Sequence, residues 1–127
     1  MKVIILDTNF IMYLLKYKIN LFEEIERIIL ENYRICVLDK TLNELENLEN
    51  KGKQENKLLA KLSKKFLRMN EDKINILKTK ENKQVDDCIK ELANKNTIIA
   101  TQDKALKKSL NNQILIIRQK KYLKLIN

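Results

Sequence analysis

Four short, wholly apolar runs recur along this chain: Val3–Leu6, Ile35–Leu38, Ile98–Ala100 and Ile114–Ile117. A strand without polar alternation is one buried on both faces, and such strands belong to parallel sheets covered by helices. The stretches between the runs carry helical spacing instead. Phe10–Leu15 can follow a cap at Asp7, Thr8 or Asn9, and Leu21, Phe22, Ile25, Ile28 and Ile29 can follow a cap at Asn20. Thr41-Leu42-Asn43-Glu44 can open a helix carrying Leu42, Leu45 and Leu48, and the same four residues match a capping box. Lys51–Asn56, with the single glycine, reads as a loop before a basic amphipathic helix marked by Leu58, Leu59, Leu62, Phe66 and Met69. Ile74–Leu77 is a weak strand and Lys78–Lys83 a polar connection. Val85, Cys88, Ile89, Leu92 and Ala93 give the clearest helical stripe, and Ala105, Leu106 and Leu110 suit a short helix before the final strand at Ile114–Ile117. Strands alternating with helices predict an α/β fold with a central, mostly parallel sheet. No repeat or linker divides residues 1–127, so a single domain is expected.

That length suffices for a core without staples, since a chain of 127 residues buries about two-thirds of its unfolded surface. No apolar run approaches the roughly 20 residues of a membrane span, and the apolar start at Val3–Leu6 is too short for a secretory signal. A cytoplasmic location and no membrane partner are therefore expected. Cys36 and Cys88 each sit in apolar surroundings outside any metal-ligand spacing and read as buried small hydrophobes. The chain has no histidine, which excludes histidine-based acid–base pairs and Ser-His-Asp triads. One glycine, Gly52, excludes the phosphate-binding loops that need several. Any catalysis must rest on carboxylates and lysines.

Charge divides the chain. The first 50 residues hold 6 basic and 9 acidic side chains, while the rest hold 20 and 8, for +9 overall. A strongly basic half suits a polyanionic partner, or else a lysine-rich solvated surface.

The acids fall where an α/β sheet gathers functional groups, beyond the carboxyl ends of its strands. Asp7 directly follows the first apolar run and Asp103 follows the third by three residues, so both should reach the same rim. Either could simply cap the next helix. On the Val85–Ala93 helix the apolar stripe spans about 140°; Asp86 lies at its margin and Asp87 nearly opposite its centre. Asp86 can therefore lean toward Asp7 while Asp87 faces water or reaches the site peripherally. Acidic charge in a first helical turn is an equally ordinary explanation of the pair. Wheel geometry leaves Glu44 and Glu46 undistinguished.

Asp7-Thr8-Asn9-Phe10, Leu42-Asn43-Glu44-Leu45, Val85-Asp86-Asp87-Cys88-Ile89 and Thr101-Gln102-Asp103-Lys104 occur in the order of a PIN domain. Over nearly its whole length the chain resembles small PIN-like proteins related to ribosomal-RNA processing nucleases and, more distantly, toxin–antitoxin ribonucleases. The resemblance implies a three-layer α/β/α fold. It also implies catalytic, metal-binding acids at Asp7, Glu44, Asp86 and Asp103, with Asp87 as a further acid and Thr8, Asn9 and Thr101 in support. Gln102 departs from the Asn often found before the last acid.

An all-oxygen acid cluster without His or Cys suits Mg²⁺ or Mn²⁺, and such an ion supports phosphodiester hydrolysis without histidine. The resemblance thus implies a metal-dependent endoribonuclease acting in ribosomal-RNA processing or RNA turnover, leaving 5′-phosphate and 3′-hydroxyl ends. The alternative is a weakly catalytic RNA-binding module of a ribosome-maturation complex. A receiver-like signalling domain also clusters acids, but the basic second half argues against it. Lys61, Lys64, Lys65, Arg68, Lys104, Lys107 and Lys108 are expected to guide a single-stranded or looped RNA backbone. Tyr13, Tyr17, Phe66 and Tyr122 are the available aromatic stackers, with helical spacing placing Phe66 in the core. The apolar Tyr122–Ile126 end would cover its own core or dock on a twin subunit, so a homodimer or protein partner stays open.

Overall fold

The computed structural model describes residues 1–79 and 83–127. The chain runs β1 (Lys2–Leu6), α1 (Thr8–Lys16), α2 (Leu21–Ile28), β2 (Tyr33–Leu38), α3 (Asp39–Lys51), α4 (Gln54–Met69) and β3 (Ile74–Leu77). It continues through α5 (Val85–Leu92), β4 (Thr97–Ala100), α6 (Lys104–Lys108), β5 (Gln113–Arg118) and β6 (Tyr122–Ile126). Part of the connection expected at Lys78–Lys83 lies outside the described residues.

The six strands form one sheet in the order β3-β2-β1-β4-β5-β6, parallel except for β6. Side chains alternate across it. Ile4, Leu6, Ile35, Val37, Ile98, Ala100, Leu115 and Ile117 face one core with Phe10, Ile11, Leu14, Leu21, Ile25, Leu45 and Leu67 from α1–α4. Ile5, Leu38, Ile99, Ile114 and Ile116 face a second core closed by Val85, Cys88 and Ile89 of α5 and Leu106 of α6. Both faces of the apolar runs are therefore covered, which gives the three-layer α/β/α arrangement. Right-handed crossovers place helices on opposite faces when the sheet is built in opposite directions. The chain goes outward from β1 to β3, then crosses back to β4 and outward again to β5. The reversal lies between β1 and β4, the place where open α/β sheets bind ligands.

Several local expectations are corrected. α3 begins at Asp39, not at a Thr41–Glu44 capping box, because the Asp39 carboxylate accepts Lys40 N at 2.8 Å and Thr79 Oγ1 at 2.7 Å, a partner distant in sequence. The polar Lys51–Asn56 stretch is mostly helical, with α3 and α4 separated only by Gly52 and Lys53. On α4 the buried face is Ala60, Ser63 and Leu67, turned roughly 120° from the leucine stripe. Leu58, Leu62 and Met69 are exposed, as is Leu92 on α5. Small residues let α4 approach its neighbours closely, and the buried Ser63 hydroxyl is satisfied by Leu59 O at 2.7 Å. Phe66 stacks on Phe22 against the core, as expected.

β5 is not the last strand. Tyr122–Ile126 turns back as antiparallel β6, with Leu123 buried, so this end covers its own core. Its outer edge is closed locally by α2: Glu24 Oε1 accepts Leu123 N at 2.8 Å and Arg27 donates to Leu123 O at 3.0 Å. Such capping protects an edge from pairing with another chain. Cys36 and Cys88 are buried free thiols. Among the described residues no helix is long and apolar enough to cross a membrane.

The joint between α3 and α4 depends on Gly52, whose backbone N–H closes α3 on Leu48 O. A Cβ there would stand 2.5 Å from that backbone oxygen. Gly52→Ala should therefore destabilise the fold by about 1–3 kcal/mol, read as a lowered denaturation midpoint with unchanged m-value. An unchanged midpoint would mean that the joint yields freely.

Candidate active site

Asp7 directly follows β1 and caps α1, and the residue is almost fully buried, at 4% exposure. Oδ1 accepts Thr8 N at 2.9 Å; Oδ2 accepts Thr101 Oγ1 at 2.7 Å and Asn9 Nδ2 at 3.2 Å. Thr101, the first residue after β4, thus ties Asp7 across the sheet reversal, and its hydroxyl also accepts Asp103 N at 3.1 Å. Asn9 adds a second tie, accepting Gln102 N at 3.2 Å. Asp103 caps α6 by accepting Leu106 N at 3.1 Å. The capping roles weighed for Asp7 and Asp103 are both real and do not displace them from the cleft.

Glu44 comes from α3, one turn past the helix start, and accepts a short hydrogen bond from Thr8 Oγ1. The buried Thr41 hydroxyl lies 3.3 Å from the same oxygen. Glu46 points away and pairs with Lys64, so of the two glutamates that wheel geometry left undistinguished it is Glu44 that faces the cleft. Asp86 occupies the first turn of α5. These four acids, from four different elements, line a single cleft of about 530 Å³ together with Thr8, Asn9, Met12, Asn47, Leu48 and Gln84. Asp87 is exposed and does not line it, in keeping with its place on the helix wheel.

The acids feel one another. Burial raises the Asp7 carboxyl from its ordinary 3.8 to about 6; bonds from Thr101 and Thr8 oppose the rise, and the charges of Asp86 and Glu44 add to it. Asp86 is also shifted upward, first by burial and then by Asp103, with Lys90 opposing. A cleft that disfavours its own negative charge is one that gains from a bound cation. Among the described residues no three acidic, histidine or cysteine side chains stand close enough to grip one ion directly. The donor set fits a hydrated hard cation, held through one or two carboxylates and otherwise by water.

A profile described as "PIN like domain" matches residues 4–120. The chain belongs to the PIN-like domain family. It is 36% identical over 129 aligned residues to Ribonuclease VapC4 of Methanocaldococcus jannaschii, covering 94% of this chain and 92% of that protein. Its fold matches the PIN domain endonuclease Utp24 with a TM-score of 0.73 at 27% identity, over 97% of this chain and 90% of the other. VapBC-1 from nontypeable Haemophilus influenzae shares the fold, with a TM-score of 0.56 at 18% identity over 88% and 97% of the two chains.

Within this PIN frame, Gln102 has a definite place. Its Oε1 accepts Ile117 N at 2.7 Å and its Nε2 donates to Ile117 O at 3.4 Å, so the longer amide reaches β5 and fixes the loop carrying Asp103. None of the seven basic residues expected to guide RNA lines the cleft. Lys64 pairs with Glu46 and Glu49; Lys61, Lys65 and Arg68 are exposed on α4, while Lys104, Lys107 and Lys108 lie on α6 just after Asp103. Asn47, Gln84 and Met12 were not anticipated in the cleft. Asn47 lies three residues after Glu44 on α3, a spacing that could have pointed to it.

A carboxyl raised on folding binds more protons in the native state, so its contribution to stability falls as pH rises from about 4 to 6 and stays low above. Asp7→Asn lacks this pH dependence. In EDTA, its stability relative to wild type should improve by about 2–3 kcal/mol between roughly pH 3.5 and pH 7, measured by denaturant titration. A variant that loses ground over that range would show the hydrogen bonds to Asp7 outweighing its burial.

Proposed function

We propose that this PIN-domain chain is a metal-dependent endoribonuclease that hydrolyses RNA in the cytoplasm, in ribosomal-RNA processing or RNA turnover. One observation carries the reading: Asp7, Glu44, Asp86 and Asp103, spread over 97 residues of sequence, share one cleft at the sheet reversal. The names of the ribonuclease and endonuclease relatives support it.

Of Asp7, Glu44, Asp86 and Asp103, one or two would hold Mg²⁺ or Mn²⁺ directly and the others through its bound water. When bound, that ion supplies water activation and charge stabilisation at the phosphodiester. The protein's own part is orientation. Thr101 and Asn9 fix the Asp7 carboxylate, and Thr8 fixes Glu44. Gln102 locks the Asp103 loop to β5, while the Asp103 carboxylate keeps one oxygen on the Leu106 N–H. The carboxylates are thereby set in place before substrate arrives, which spares the reaction the cost of arranging them. Lys104, Lys107 and Lys108 supply positive charge beside Asp103 for the phosphate backbone.

Purified protein incubated with structured and single-stranded RNA should cleave in Mg²⁺ or Mn²⁺ and stop in EDTA. Asp7→Asn or Asp103→Asn should lower the rate by at least about 100-fold. Binding without cleavage in every metal would favour the RNA-binding module instead. Activity equal in wild type and both variants would mark a contaminant. RNA affinity should also fall steeply with added salt. A flat salt response would remove the lysines from the interface.

A further inference from the structure

A second cavity, of about 360 Å³, adjoins the acid cleft and shares Asn9 and Asp103 with it. Its other walls are Tyr13, Tyr17 and Gln102. Tyr13 on α1 and Tyr17, which caps its C-terminal end, stand one turn apart with ring centroids 5.7 Å apart and planes within 14° of parallel, a stacked aromatic pair that serves as the shelf of this cavity. Tyr13 is exposed. Two ammonium groups lie near the Tyr17 ring, Lys16 at 5.8 Å and Lys120 at 5.7 Å from its centre; Lys16 is also paired with Glu55 at 2.9 Å.

Lys120 reaches that place from the β5–β6 turn. Gln119 and Lys120 both take left-handed backbone, at φ 55 and 58, and Lys121 N closes the turn on Arg118 O at 3.1 Å. Turns with two consecutive positive φ angles select Gly, which has no Cβ to crowd the backbone, and Asn, whose short polar side chain offsets that strain by local hydrogen bonds. Here the strained positions carry long side chains within the exposed, basic run Arg118-Gln119-Lys120-Lys121. Strain kept at a rim beside a cleft points to use of the side chains held there.

We propose that this shelf seats a nucleobase of single-stranded RNA, that of the nucleotide flanking the phosphodiester in the acid cleft, with Lys120 and its turn neighbours on the adjoining phosphates. The proposal rests on the ribonuclease reading of that cleft. An aromatic face edged by ammonium groups and continuous with the cleft matches a base joined to its backbone. The neighbouring amide oxygens already accept backbone N–H groups, Asn9 from Gln102 and Gln102 from Ile117. Recognition is therefore by stacking and favours unpaired RNA over any particular base.

The test is binding of a short single-stranded oligoribonucleotide carrying a fluorescent purine analogue, in Ca²⁺, with the RNA checked for integrity on a gel. Stacking should quench the fluorescence. Tyr13→Ala should weaken binding about 5- to 100-fold and abolish the quench, while Tyr13→Phe keeps both and duplex RNA is unaffected by either change. Lys120→Gly should stabilise the fold yet weaken single-strand binding, a split that a purely structural turn residue would not give. Equal affinity of wild type and Tyr13→Ala, or binding without quench, overturns the shelf even where the RNA is cleaved. Quenched, Tyr13-dependent binding by a protein that cleaves nothing keeps the shelf and overturns the ribonuclease reading.

Discussion

The structure turns on a carboxylate that is buried where the sheet reverses direction. Asp7 closes β1 at the seam with β4, and two side chains from across that seam and its own loop, Thr101 and Asn9, converge on its Oδ2. Holding it there is costly. A carboxyl raised from 3.8 to about 6 corresponds to about 3 kcal/mol against its charged form at neutral pH. No arginine or lysine is among the causes that shape it; its other influences are two hydrogen bonds and two further acids. The fold tolerates this because β1 and β4 are clamped on both faces by apolar cores. A site that opposes its own ionisation retains binding energy for whatever cation neutralises it, and stability conceded at such a place is a familiar exchange for function.

Burial on two faces also explains what could be read from the sequence. Where a strand is covered above and below, as at Ile4–Leu6 or Ile98–Ala100, the pattern is continuous apolarity and local order suffices to find it. Asp86 and Asp87 were separable because α5 meets the sheet along one stripe, and the wheel places one acid at its margin. The illegible features are those set by partners distant in sequence. α3 starts where Thr79 meets Asp39. α4 turns Ala60 and Ser63 inward because it packs on helices, leaving its leucines outside. β6 is visible only as a half-buried alternation that Leu123 anchors. Glu44 and Glu46 differ by which neighbour each finds, Thr8 or Lys64, and no periodicity encodes that.

Scarcity of glycine shapes the rest. With Gly52 committed to the α3–α4 joint, the chain makes its left-handed turns with Lys18, Gln119 and Lys120. Lys18 follows α1, where Ile19 N returns to Leu14 O and ends the helix with Tyr17 as its last turn. Gln119 and Lys120 form the tip that lies over the same tyrosine. One of these left-handed positions, Lys120, thus lies against the Tyr17 ring, and another, Lys18, follows Tyr17 directly in the chain.

That coincidence bears on how the rim is built. Asp103 is held by α6, by Thr101 and, through Gln102, by the end of β5; β5 then runs directly into the turn that carries Lys120. The acid and the cation are therefore set by the same strand end. Gln102 in place of the shorter amide is what makes this connection, since its side chain takes both backbone groups of Ile117, one residue before the turn begins. A shorter amide at that position would give up both bonds to Ile117 and with them the tie between the Asp103 loop and the strand end that leads to Lys120. The cleft and the shelf are in this sense one construction, joined by Asn9 and Asp103, which line both, and by Gln102, which holds the loop between them to β5.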